Sequence, residues 1–488
     1  MSQRIHFGRF VVATAALVAG SGVATMGATA SAATTHATYA ACRSHGQLSS
    51  VSVVAHRCPR GAAVVTGSFA GTTFTGSSLV GANLSGALLK RSILRAVVTG
   101  HITGTPASLP TGWVLARGFL LGPSALALRA NLAGANLAGA NLTGANLSGA
   151  NLTGANLSRT TVTRSVLSAA TLTNVRSVSM RGTPASLPTG WQVTGGYLVG
   201  PSADLSGRDL SNANLSGLDL TSVNFADATL VNVSLAGTAL VHANLSGVSS
   251  SGISGTPLSL PSGWVLAAGY LAGPGVSLAG ANLTNADLTG ADLHDANFFG
   301  ADLTNANLSG VNLAHASLSN TVVDGTAFAG ANLTGVISAY LVGTPASLPA
   351  GWQLLAGPYE GSTIAYLVGP AASIGGAQLS GVSFASMDLS GIYLPGGHLV
   401  GADFTNATAH HANFASANLG TAVFAGADFT GTNFSSADMS GADFSGANFT
   451  NANFNGARLL SVLGKGSAIF TGATCPDGVT FGQPGANC

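Results

Sequence analysis

A five-residue period, unbroken from Ala130 to Ser158, limits what this chain can fold into more than any other feature. There the sequence repeats Ala-Asn-Leu-x-Gly. Five matches neither the 3.6-residue helix nor the two-residue alternation of a long strand, so the fold has to be built from the repeat itself. Take Leu as the centre, as at Leu132, Leu137, Leu142, Leu147, Leu152 and Leu157. In an extended chain residues two apart face one side, so the Ala and Leu of each unit point inward. The Asn between them and the residue after Leu point outward. Gly then falls where the chain turns a corner, because it tolerates the φ values that corners need. One such unit buries too little to be stable, and only stacking Leu upon Leu makes a core.

These centres form five arrays, from Phe69 to Leu94, Leu132 to Leu172, Leu205 to Leu245, Leu278 to Leu333 and Leu379 to Leu459. The last replaces Leu by Phe at Phe404, Phe414, Phe424, Phe429, Phe434, Phe444, Phe449 and Phe454, with Ala409 as an undersized centre. The motif Ala-(Asp/Asn)-Leu-x-x resembles that of the pentapeptide-repeat family. The resemblance implies an all-β fold, a right-handed quadrilateral β-helix with four pentapeptides per coil. Residues twenty apart are then neighbours on successive coils. No two of the 15 aspartates are twenty apart, a spacing that avoids like charges on adjacent strands. The expected neighbours are Asp287 with Asn307, Asp292 with Asn312, Asp438 with Arg458 and Asp295 with His315.

Four related segments interrupt the arrays: Gly104–Pro123, Gly182–Pro201, Gly255–Pro274 and Gly343–Pro370. Each opens Gly-Thr-Pro-x-Ser-Leu-Pro-x-Gly-Trp, continues to an aromatic-Leu pair and closes on Gly-Pro. Alternation around a Gly-containing turn predicts a β-hairpin. Trp113, Trp191, Trp264 and Trp352 all fall here. They either tether each hairpin to the repeats or form a row of rings that stacks on glycans. The fourth segment is eight residues longer and holds the only glutamate, Glu360.

The N-terminus carries Arg4 and Arg9, an apolar run from Phe10 to Gly20, and Ala30-Ser31-Ala32. That pattern predicts a secretory signal peptide cleaved after Ala32, hence an extracellular protein with no transmembrane segment in the mature chain. Four cysteines allow three pairings. Cys42–Cys58 and Cys475–Cys488 are favoured, as local disulfides that cap the two ends against edge pairing. The expected organisation is a signal peptide (1–32), an N-terminal cap (33–65), repeat arrays at 66–98, 131–177, 204–249, 277–338 and 378–463, insertions at 99–130, 178–203, 250–276 and 339–377, and a C-terminal cap (464–488).

Charge is uneven. From Ala33 to Ala203 there are 12 basic residues and no acid; from Asp204 onward there are 16 acids and only Arg208, Arg458 and Lys465 as bases. Lys90, Arg91, Arg95, Arg129, Arg159, Arg164, Arg176 and Arg181 are therefore candidate polyanion-binding residues. The first expectation is a secreted, non-enzymatic scaffold or binding protein. Its partners would be an anionic wall polymer or polysaccharide, with head-to-tail self-association between basic and acidic ends. A polysaccharide-active enzyme is the alternative, but only two Lys and one Glu are present, and no nucleophile or phosphate-loop motif stands out. The resemblance also raises DNA mimicry toward gyrase. That role needs an acidic surface, which the first half lacks, so no nucleic-acid role is expected. No catalytic residue, cofactor or metal is assigned. His294, His410 and His411 are read as solvated corner residues, with metal binding or pH sensing as the other reading.

Overall fold

The structure is a computed structural model that describes residues 40–44, 47–52, 63–64, 74–76 and 79–483. The predicted signal peptide and most of the N-terminal cap lie outside the described residues. In that cap three strands, β1 (Ala40–Ser44), β2 (Gln47–Ser52) and β3 (Ala63–Val64), pair antiparallel in the order β2-β1-β3. The fold is all-β and solenoid-like; among the described residues the one helical element is a 3-10 turn at Lys465–Ser467.

Each pentapeptide is a single bridge residue followed by a turn. Asn131 bridges Asn151 in parallel, and Asn151 bridges Thr171, so the pairing step is twenty residues. The Leu132 amide donates to the Asn151 carbonyl (2.8 Å), and the Asn151 amide to the Ala130 carbonyl (2.9 Å). The corner closes when the Ala135 amide donates to the Leu132 carbonyl at 2.9 Å. Gly134 within it has φ +64, the left-handed residue of a type II turn.

The outward Asn or Asp is more than a solvated side chain. Its Oδ1 accepts the amide two residues on, as in Thr143 to Asn141 (3.1 Å) and Thr304 to Asp302 (2.9 Å). It thereby gives the turn's amide a partner that neither neighbouring strand supplies. Several also bond one step away, as Asn312 Nδ2 does to Asp292 Oδ1 (2.8 Å).

Two compact units divide the chain. Unit 1 holds the described residues up to Ser206, with Gly217–Phe225 and Thr238–Ala243. Its core is the predicted Leu centres and small Ala positions, with Leu132, Leu142 and Leu152 fully buried. Unit 2 holds Gly207–Ser216, Ala226–Gly237 and the residues from Asn244 on. It contains one parallel strand pair, β8 (Thr229–Val231) with β9 (Ser249–Ser251). Its core ends in a phenylalanine column. Phe384, Phe404 and Phe424 stack face to face at centroid distances of 4.7 and 5.2 Å, close to the spacing of β-strands. At the undersized centre Ala409, the Thr432 hydroxyl donates to the Ala409 carbonyl (2.5 Å), and Phe404 and Phe414 pack on Phe429, one step above Ala409.

The interruptions contain antiparallel hairpins. In unit 1 these are β4 (Val114–Ala116) with β5 (Phe119–Leu121), and β6 (Gln192–Thr194) with β7 (Tyr197–Val199). In unit 2 they are β10 (Val265–Ala267) with β11 (Tyr270–Ala272), and the longer β12 (Gln353–Tyr359) with β13 (Ser362–Val368). The twenty-residue ladder runs further into the interruptions than the sequence plan drew it. Thr103 pairs with Asn83, Arg181 with Thr161, Ser254 with Ser234 and Val342 with Val322. Each hairpin breaks the step, and so does one extra residue near the C-terminal end, where Asn448 pairs with Ile469 and Asn453 with Thr474, each 21 apart. Val98 pairs with Leu126 and Arg176 with Asp204, each 28 residues apart, while Ile337 pairs with Ser373, 36 apart. Three-residue strands thus add eight residues to a step, and the long hairpin adds sixteen.

Candidate functional site

The hairpins dock on a polar centre that the pentapeptide reading passed over. Thr99, Ser177, Ser250 and Ser338 occupy positions where Leu normally sits, and all four are buried. Each hydroxyl accepts the amide of a leucine in the hairpin's second strand. These are Leu120 (3.1 Å), Leu198 (2.7 Å), Leu271 (2.9 Å) and Leu367 (3.0 Å). All four leucines are fully buried. The hydroxyl satisfies an amide that would otherwise be buried unpaired, and the leucine returns apolar volume to the core. The signal was in the sequence: a Ser or Thr in the Leu column, 21 residues before a Leu in three cases and 29 in the fourth.

The tryptophans are half-buried. Each ring lies against the glycine of the closing Gly-Pro. A Cβ on Gly122, Gly200, Gly273 or Gly369 would meet Trp113, Trp191, Trp264 or Trp352 at 2.1 to 2.5 Å, so only glycine fits. Trp113 and Trp191 also pack on the unit 1 core and Trp352 on that of unit 2. Each ring is thus braced within its own segment, with one face covered by the closing glycine.

All eight candidate basic residues are exposed. Arg91, Arg129, Arg159 and Arg164 take the left-handed corner position usually held by Gly, with φ between +53 and +66. Arg181 bridges Thr161, so it sits one step on from the stretch that runs between corner residues Arg159 and Arg164. These three therefore frame one face of unit 1. Arg176 is different: its Nε is 2.9 Å from Asp204 Oδ2. Burial works to raise the Asp204 carboxyl, but hydrogen bonds from Ser206 and Arg176 hold it below the usual range. Lys90, Arg91 and Arg95 belong to an earlier stretch of the repeats, and Arg129 to a separate corner.

Two of the three candidate histidines lie against carboxylates. His294 Nδ1 is 2.9 Å from Asp292 Oδ1, and His410 Nε2 is 3.0 Å from Asp428 Oδ2. Asp438 pairs with Arg458 as expected, at 3.8 Å across one step, and Asp287 and Asp292 face Asn307 and Asn312. Asp295 and His315 do occupy equivalent corners, with φ +58 and +60, yet it is His294 that approaches the Asp295 carboxylate (4.0 Å). Among the described residues no group of three His, Cys, Asp or Glu side chains could hold a metal, and no helix is long and apolar enough to cross a membrane. Cys475 is buried. The side chains of Cys42, Cys58 and Cys488 lie outside the described residues, so the pairing expected from the sequence is not visible.

The sequence profile described as Pentapeptide repeats matches in 8 copies, over residues 68–96, 129–175, 202–237, 275–305, 296–335, 385–420 and 427–459. No curated protein matches the chain. Among solved structures, HetL from the cyanobacterium Nostoc sp. strain PCC 7120, a pentapeptide repeat protein involved in heterocyst differentiation regulation, is 22% identical. That match covers 72% of this chain and 92% of HetL, with a TM-score of 0.16. A pentapeptide repeat protein of the Arabidopsis thaliana thylakoid lumen is 28% identical over 27% of this chain and 66% of its own, with a TM-score of 0.13. QnrB1, a plasmid-mediated fluoroquinolone resistance protein, is 15% identical over 53% of this chain and 88% of its own, with a TM-score of 0.11. With TM-scores this low, none of these likenesses bears on the shape or role of this chain.

Proposed function

We propose that this chain, a pentapeptide-repeat protein, is a secreted, non-enzymatic scaffold that binds an anionic polymer through unit 1. The observation that carries the reading is the face framed by Arg159, Arg164 and Arg181, in a stretch of chain without one acid before Asp204. A left-handed φ disfavours any residue with a Cβ, so arginine at these corners spends backbone energy to hold a cation outward. Fixed cations closer together than a Debye length of about 8 Å add their fields toward a polymer, whereas isolated ones are screened. Two further parts belong to the same reading. The repeats wind as a right-handed quadrilateral β-helix, for which the twenty-residue step and the five-residue unit are the support. The signal segment exports the chain, and local disulfides Cys42–Cys58 and Cys475–Cys488 cap it.

The test is retention on immobilised heparin and binding to soluble polyphosphate, each at low and high salt. The Arg159→Ser/Arg164→Ser/Arg181→Ser variant is expected to elute at markedly lower salt than wild type. Arg176→Ser should change elution little, because Asp204 already faces that side chain. Equal elution of wild type and the triple variant would remove the assignment.

A further inference from the structure

Two arginine clusters of unit 1 stand one above the other on a single face. Backbone hydrogen bonds trace the corners that bound it. The Ala96 amide donates to the Ser124 carbonyl (3.0 Å), Ser124 to Thr143 (2.8 Å) and Gly144 to Thr163 (2.9 Å). Ala96, Ser124, Gly144 and Arg164 all have positive φ. They are successive corners of one column, with Arg164 three steps from Ala96. Arg91 and Arg159, also with positive φ, precede Ala96 and Arg164 by one five-residue unit. They therefore share the neighbouring column, and the stretches 91–96 and 159–164 cross the same face. Arg95 is exposed on it between Arg91 and Ala96. Arg181 extends it by one step, through its bridge to Thr161.

The face thus carries Arg91 and Arg95 at one end and Arg159, Arg164 and Arg181 at the other. At a strand spacing of about 4.8 Å, three steps set the clusters about 14 Å apart, with Arg181 about 5 Å further on. No acid occurs anywhere between Arg91 and Arg181. Between the clusters the corners include Gly139 and Gly144, and the outward side chains Asn141 and Thr143 are half-buried and uncharged. Two other arginines lie elsewhere. A Cβ on Gly149 would meet Arg129 Cγ at 3.3 Å, and one on Gly134 would meet Arg117 Nη2 at 3.2 Å. Gly134 and Gly149 belong to the two corner columns that do not border this face.

Resting on the polyanion reading of unit 1, we propose that this face takes an extended, unbranched polyanion laid lengthwise along the stacked steps and held at both ends. The clusters are further apart than the Debye length of about 8 Å, so a small anion senses only one of them. A chain that reaches both makes its second contact intramolecularly, which raises avidity without any new group. The ligand class follows from that geometry. It is repeated anionic charge on a linear chain, phosphate-bearing or glycan, and not a compact anion.

The experiment is titration calorimetry of the full chain with tripolyphosphate, long-chain polyphosphate, a sulfated heparin disaccharide and full-length heparin, each at several salt concentrations. Arg91→Gly/Arg95→Ser should weaken long-chain binding about tenfold or more and leave the two short anions unaffected. It should also lower the slope of log affinity against log salt by about one to two. Glycine suits the left-handed corner at Arg91, and thermal melts check that each variant folds. Arg117→Ser/Arg129→Ser removes the same charge from the other columns and should change long-chain affinity little. Whichever long chain is held more tightly, this pattern of variants supports the inference and tells phosphate polymer from glycan. The inference is overturned if Arg91→Gly/Arg95→Ser binds long chains as wild type does, or if Arg117→Ser/Arg129→Ser weakens them equally. Loss of binding in Arg159→Ser/Arg164→Ser/Arg181→Ser alone would leave the polyanion reading standing and remove this one, whereas no binding by wild type would remove both.

Discussion

At the scale of single residues, the repeat tolerates little inside and much outside. Leu142 is fully buried. Leu142→Asp would place a carboxylate where no partner exists, at a cost of several kcal/mol, so the variant should lose its cooperative melt. Ser177 is the more informative position. Removing its hydroxyl leaves the Leu198 amide buried and unpaired, and Ser177→Ala should cost about 1–3 kcal/mol in chemical denaturation. A change within error would mean that the hydroxyl is not what holds the hairpin. The His294–Asp292 pair gives a pH signature. The hydrogen bond that His294 donates to Asp292, then the Asp292 charge, raises His294 above its ordinary value, against the desolvation that would lower it. Burial works to raise the Asp292 carboxyl, but hydrogen bonds from His294 and Asn312 hold it low. For His294 the stabilisation is fully present below pH 6.5 and is lost as pH rises through the raised folded value. For Asp292 it is present above pH 3.8 and is lost as pH falls through the depressed one. The pair thus contributes between those two folded values. NMR titration of the His294 ring should show a midpoint above 6.5 that falls back in Asp292→Asn.

At the scale of elements, the hairpin is a removable unit laid over an intact ladder. Arg176 and Asp204 are already paired at a step of 28. Deleting the eight residues Gln192–Val199 would return that step to twenty. Combined with Ser177→Leu, which restores the usual apolar centre, the deletion should give a folded protein with a single cooperative melt. Deletion without the Leu should be less stable, because the buried hydroxyl then lacks the amide it serves. Loss of folding in both would show that the hairpin is needed to build the neighbouring steps. The phenylalanine column tests the other kind of element. Phe424 is fully buried and touches Phe404, Phe429, Phe434, Phe444 and Phe449. Phe424→Ala should cost about 3–5 kcal/mol.

At the scale of the whole molecule, charge and covalent chemistry are the levers. Unit 1 holds two of the 16 acids, Asp204 and Asp219, and unit 2 the other 14. Association between molecules through these opposite fields should weaken as salt rises, and sedimentation from low to high ionic strength reads it directly. Secreted protein should begin at Ala33, and non-reducing peptide mapping should recover Cys42–Cys58 and Cys475–Cys488. A Cys42–Cys475 peptide would sink the local-cap proposal.

The sequence alone determined which residues make the core. Inward Ala and Leu, outward Asn or Asp and a left-handed corner all follow from contacts within five residues, and one unit such as Ala130–Gly134 shows them. With the family resemblance it also placed the neighbours twenty residues away, down to Asp438 beside Arg458. Tertiary structure decided what depends on longer and irregular separations. The Asx oxygens capping their own turns, the choice of Asp292 rather than Asp295 as the main partner of His294, and the continuation of the ladder into Thr103 and Arg181 are set by local geometry that the period does not encode. The hairpin docks are set 21 or 29 residues away, between a hydroxyl and an amide that no five-residue reading connects. The bridge from Leu341 to Ala365 needs a strand that exists only once the long hairpin has folded back.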